Sequence, residues 1–127
     1  MTSHVHLALG TKGGEKLEDI IRDLKSYTSR HIRKYLENNP QESRREWLIW
    51  MMKRAGNKNS NNKGFQFWQQ HNHPIELNTN EIIQQRLDYI HNNPVEAGFV
   101  DNPSSWLCSS AKDYEGVKGE IEICYLD

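Results

Sequence analysis

Ser3-His4-Val5-His6-Leu7-Ala8-Leu9 sets two histidines one residue apart in an otherwise apolar, strand-like run. In a strand, residues i and i+2 share a face. His4 and His6 would then present two imidazoles side by side, while Val5, Leu7 and Leu9 serve packing. Two imidazoles on one rigid face make half of a metal site. Leu87-Asp88-Tyr89-Ile90-His91-Asn92-Asn93-Pro94-Val95 is the candidate for the other half, because it offers a tyrosine and an amide at helical spacing.

A chain of 127 residues with 35% hydrophobic and 26% charged content suits a single domain over 1–127 with a modest core. The longest apolar-rich run, Trp47-Leu48-Ile49-Trp50-Met51-Met52, falls far short of the roughly 18 residues of a membrane-spanning helix. No signal-peptide pattern opens the chain. A cytoplasmic protein without a membrane partner is the expectation. Cys108 and Cys124 are too few and too unpatterned for a disulfide framework or a zinc knuckle.

The net charge of −1 hides an uneven distribution. Basic residues gather from Arg22 to Lys63, whereas the tail from Asp113 is acidic, so a polyanion would meet the middle of the chain. From Lys16 to about Leu36, the residues Leu17, Ile20, Ile21, Leu24, Ile32 and Leu36 fall largely at helical spacing and predict one buried stripe. The basic residues of that helix, Arg22, Lys25, Arg30, Arg33 and Lys34, would track a phosphate backbone.

Asn38-Asn39-Pro40 breaks this helix, and Ser43 with Glu46 reads as a capping box opening a second. Trp47 and Trp50 on it read as core. Residues 56–64 lack any apolar side chain and predict a loop whose lysines lie within reach of phosphates. Phe65-Gln66-Phe67-Trp68 alternates like a short strand, and Trp68-Gln69 with the polar run after it reads as a contacting loop. Asn78, Thr79 or Asn80 caps a third helix with Ile83, Leu87 and Ile90 buried, ended by Pro94 at Asn93 or a little earlier. Phe99 and Trp106 pack the turn and coil beyond it. Ile121-Glu122-Ile123-Cys124-Tyr125 resembles a last strand.

His4 and His6 from a strand, with Asn93 from a helix, supply two imidazoles and one amide oxygen and leave positions open on a divalent ion. Tyr89, one turn before Asn93, projects its phenol toward the same place. A phenol with a pKa near 10 is mostly protonated at neutral pH. The ion would therefore act chiefly on the electrophile, polarising a phosphate oxygen while a base or water takes the phenolic proton.

On these residues the sequence resembles the single-tyrosine HUH transposases, most of all the REP-associated tyrosine transposases and their relatives among small insertion-sequence enzymes. The resemblance rests on Met1-Thr2-Ser3-His4-Val5-His6-Leu7; on Ile20-Ile21-Arg22-Asp23-Leu24-Lys25-Ser26-Tyr27-Thr28-Ser29; on Phe67-Trp68-Gln69; and on Leu87 through Val100. It covers most of residues 1–114 in the family's order. It implies a partial ferredoxin-like α+β fold and a DNA strand transferase that cleaves and rejoins single-stranded DNA at hairpins. Tyr89 would be the nucleophile, forming a 5′-phosphotyrosine, and His4, His6 and Asn93 would hold Mg²⁺ or Mn²⁺. Arg22, Lys25, Arg30, Arg33, Trp68 and Gln69 are the expected DNA contacts. Tyr27 is the rival nucleophile, but His31 stands where an amide one turn later is needed.

Relative to the family, the chain starts at the histidine strand. It is therefore expected to be an N-terminally truncated copy or to have a misplaced start, its sheet completed by a second copy in a homodimer. The alternatives are an inactive transposase fragment that only binds DNA, and a small metal-binding or interaction protein.

Overall fold

The computed structural model describes residues 3–62 and 64–126. Met1 and Thr2 of the motif and Lys63 of the basic loop lie outside the described residues. In chain order the elements are α1 (Leu17–Asn38), α2 (Arg45–Asn57), α3 (Asn80–Glu96), a short 3₁₀ helix (Pro103–Ser105) and α4 (Ala111–Tyr114). They fall into two compact units: a first of Met1–Ala8 with Pro74–Asp127, and a second of Leu9–His73.

No strand occurs among the described residues. This overturns the α+β, ferredoxin-like expectation. Residues 4–10, 65–67 and 122–126 are coil, and none pairs with another segment as a ladder would require. Alternation defines which face a strand would bury, but a strand needs a neighbour for its backbone N–H and C=O groups. Val5, Leu7 and Leu9 are exposed instead of packed under a sheet.

In the second unit, α1 begins with Glu18 and Asp19 in its first turn, where carboxylates suit the helix dipole. It runs to Asn38, and Pro40 follows the extended Asn39 that ends it. Arg45 then reaches back, its Nε donating to the Leu36 carbonyl at 2.7 Å and Nη2 to that of Glu37 at 3.1 Å. The guanidinium thus satisfies carbonyls that the end of α1 leaves open and fixes where α2 starts. The expected capping box is not formed, because Arg44 rather than Ser43 is the N-cap and no side chain caps it.

Leu36 and Met52 are buried in this unit. The expected α1 stripe is only partly covered, with Leu17, Ile20 and Leu24 about two-fifths exposed (41%, 38% and 39%). Trp47 and Trp50 are 56% and 54% exposed, contrary to the core assignment. Two helices and a loop supply too little facing surface to cover every apolar side chain they carry.

In the first unit, the Thr79 hydroxyl caps α3 by accepting the Ile82 N–H at 3.3 Å. Pro94 does not end the helix, which continues to Glu96. Proline in the last turn removes one backbone donor, and the end is closed by the Ala97 N–H on Asn93 and the Gly98 N–H on Val95. Gly98 takes φ +74°, the left-handed conformation that suits glycine after a helix. Leu87, Pro94 and Ala111 are buried, and the Phe99 and Trp106 rings pack with centroids 5.6 Å apart.

Among the described residues, no helix is long and apolar enough to cross a membrane.

Candidate active site

Tyr89 and Asn93 stand four residues apart on α3 and therefore share a face. Asn93 is half-buried, and its Nδ2 lies 3.4 Å from His6 Nε2, a long contact for a hydrogen bond. The His6 ring meets Tyr89 edge-on at a centroid distance of 5.4 Å. His4 lies edge-on to His6 at 4.9 Å, and its Nδ1 is 3.2 Å from the Ser3 hydroxyl. Four residues of the first unit, two from the N-terminal segment and two from α3, thus form one continuous cluster. Asn92 does not join it, since its amide donates back to the Asp88 carbonyl at 2.9 Å.

Partial burial pushes the His6 imidazolium below its ordinary value, and the neighbouring His4 adds to the effect. A neutral His6 keeps a lone pair on Nε2, which accepts the Asn93 N–H. The same lone pair is what a metal ion takes. A half-turn of the Asn93 amide exchanges nitrogen for oxygen at that position. The donor set is then two imidazole nitrogens and one amide oxygen, which fits a borderline divalent ion in type. Among the described residues no group of three or more His, Cys, Asp or Glu side chains gathers, so a three-ligand site here depends on the amide.

Tyr89 is 46% exposed, open to a macromolecular substrate. On a different side of α3, His91 Nε2 lies 2.9 Å from the Ser110 hydroxyl, and its ring is 5.2 Å from that of Tyr114. These contacts join α3 to both ends of the short α4. Burial pushes His91 down as well, partly opposed by Asp88.

The residues expected to meet DNA belong to the second unit. Lys25, Trp68 and Gln69 come together there. Lys25 Nζ donates to the Gln69 carbonyl and to Asn72 Oδ1, both at 2.8 Å, and lies 5.9 Å from the Trp68 ring centre. Trp68 Nε1 donates to Thr28 Oγ1 at 2.8 Å. Arg22 pairs with Asp19 and Asp23, and Arg33 pairs with Glu37 while covering the Phe65 ring. Arg30 Nε donates to the Ser26 carbonyl at 3.3 Å. Tyr27, the rival nucleophile, stacks on His31 in this unit. Sequence reading missed the anchoring of Lys25 and the His91–Ser110 contact, because bonds spanning 44 and 19 positions leave no local pattern.

No protein-family model matches the chain, and neither a curated protein nor a solved structure does.

Proposed function

We propose that the chain cleaves and rejoins single-stranded DNA at hairpins through a covalent 5′-phosphotyrosine on Tyr89, in the manner of the single-tyrosine HUH transposases it resembles. The observation that carries this reading is the clustering of an exposed Tyr89 with His6, His4 and Asn93. Nucleophile and candidate ligands thereby share one small region, as in-line attack on a phosphodiester requires.

In the cleavage step the Tyr89 oxygen bonds to phosphorus and the bond from phosphorus to the 3′ oxygen breaks. The phenolic proton passes to a base or water, and the 3′ oxygen leaves as a hydroxyl. The phosphotyrosine keeps the energy of the broken diester, so a 3′ hydroxyl from another strand reverses the step without ATP. His4, His6 and Asn93 would hold the divalent ion, Mg²⁺ or Mn²⁺. When bound, it supplies positive charge that polarises a non-bridging phosphate oxygen. Arg22, Lys25, Arg30, Arg33, Trp68 and Gln69 would hold the strand, with Lys25 exchanging its present acceptors for phosphate. The unpaired, exposed Cys108 and Cys124 accord with action in the reducing cytoplasm.

The test is incubation with a labelled single-stranded hairpin oligonucleotide and Mn²⁺, followed by a denaturing gel. A covalent adduct is expected, and Tyr89→Phe and His6→Ala should each abolish it. DNA retention without an adduct would replace the enzyme reading with that of a DNA-binding fragment. Metal binding without DNA affinity would leave a metal-binding protein.

A further inference from the structure

Tyr27, His31 and Tyr35 recur every four residues along α1, and all three are exposed. Four residues advance a helix by about 6 Å, so the rings climb one face as a ladder. They are held in place. Tyr27 and His31 stack with centroids 3.8 Å apart and planes at 25°. The Tyr27 carbonyl can only accept, so His31 Nδ1 carries the proton and donates to it at 2.8 Å. Asn39 Nδ2 donates to the Tyr35 hydroxyl at 2.6 Å.

Between His31 and Tyr35 the ladder opens into a shallow cleft of about 560 Å³, also lined by Lys34, Asn38 and Asn39. A second hollow of about 370 Å³ lies along Tyr27, Arg30, His31 and Lys34. No carboxylate lines either one. Glu37, the acid on this part of α1, is engaged by Arg33 at 2.9 Å. Arg30 and Lys34 have no ion pair among the described residues.

A face of ordered rings and uncompensated cations, with no aliphatic side chain lining its hollows, is a poor seat for an apolar helix. It suits a chain of flat bases joined by phosphates, since every base offers a π face and every linkage a negative charge. We infer that this face of α1 binds single-stranded nucleic acid, one base entering the cleft between His31 and Tyr35 while Arg30 and Lys34 take the flanking phosphates. The inference rests on the strand-holding part of the proposed function, to which Arg30 already belongs, and adds to it the rings that would receive a base; it concerns the second unit alone and does not depend on the reaction at Tyr89.

Fluorescence anisotropy tests it with the full chain and a labelled single-stranded oligodeoxynucleotide of about 12 nucleotides, set against its abasic counterpart and its duplex. The base-bearing strand is expected to bind about tenfold or more tighter than either competitor. Tyr35→Ala should weaken it by about ten- to a hundredfold, and Tyr35→Phe should restore most of the affinity. Lys34→Gln should lower the salt slope by about 0.7. Equal affinity for the abasic strand or the duplex, or no affinity for any of them, would overturn the proposal without requiring a variant to fold. Self-association that Tyr35→Ala removes, with no oligonucleotide affinity, would make the face an interface between copies instead. A covalent adduct formed by a chain whose affinity Tyr35→Ala leaves unchanged would overturn this proposal and spare the strand-transfer reading, whereas base-dependent binding that Tyr35→Ala weakens, with no adduct, would do the reverse.

Discussion

Asn93 Nδ2 lies 3.4 Å from His6 Nε2, although the two residues stand 87 positions apart. The contact joins the start of the chain to the last turns of α3. It also puts the one candidate ligand that is neither His, Cys nor acid beside an imidazole held neutral by partial burial.

That placement makes the amide a measurable part of metal binding. Asn93→Asp replaces a neutral oxygen with a charged one and is expected to tighten Mn²⁺ binding. Asn93→Ala should weaken it by about tenfold, equivalent to about 1.4 kcal/mol. Calorimetric titration of the three proteins checks the order. Equal affinities would remove Asn93 from the ligand set and leave two histidines too few for a defined site.

Protonating His91 and His6 works against the fold. Burial pushes both below the ordinary value of 6.5, with Asp88 opposing part of the shift at His91. A histidine with a depressed folded value binds fewer protons folded than unfolded, so stability rises with pH across the gap. In chelator-containing buffer this contribution is complete above 6.5 and falls as pH drops from there through the lowered values. Urea midpoints at about pH 7.5 and about pH 5 should therefore differ less in His91→Gln than in the wild type. An identical difference in both would exclude His91 as a source.

Two local signals hold, whereas the equally local Ser43–Glu46 capping box does not form because α2 starts one residue later. Thr79 at the N-cap and the length of α1 follow from side chains within a turn of the features they set. The nearness of His4, His6, Tyr89 and Asn93 was legible only as a chemical requirement, and the strand expected to deliver it does not form. A strand depends on a partner elsewhere in the chain, and alternation in residues 3–9 cannot supply one. The Trp47 and Trp50 assignment failed for the opposite reason. Large apolar rings at helical spacing describe a face that needs covering, whereas burial depends on how much covering surface the unit has. Pro94 does not terminate α3, because its missing N–H falls in the last turn, where the Ala97 and Gly98 N–H groups close the helix.

The exposed tryptophans make a quantitative distinction. A buried tryptophan costs about 3–5 kcal/mol on truncation to alanine. Trp47→Ala, at a residue 56% exposed, should cost no more than about 0.5 kcal/mol. Trp50 carries the Arg54 guanidinium 5.2 Å from its ring centre, and its loss should cost about 0.5–1 kcal/mol, the range of an exposed cation–π pair. Urea unfolding measures both. A loss above about 3 kcal/mol for either would mean that the ring is covered in solution.

Gly56 is where helix propensity and packing oppose one another. On an open helix face, alanine in place of glycine gains about 1 kcal/mol. Gly56 is buried in the last turns of α2, and a Cβ there would meet the backbone of the returning chain, with Phe65 N nearest and Gly64 C and Phe65 Cα each at 2.6 Å. Backbone atoms cannot turn aside as the end of a side chain can. The segment is also pinned, because the Gln66 N–H donates to the Met52 carbonyl at 2.9 Å. The clash therefore outweighs the propensity gain, and Gly56→Ala should lower stability by about 1–3 kcal/mol. Asn57→Ala, at the exposed neighbouring position, should cost far less. A midpoint for Gly56→Ala at or above the wild-type value would show that residues 64–66 are not held against α2.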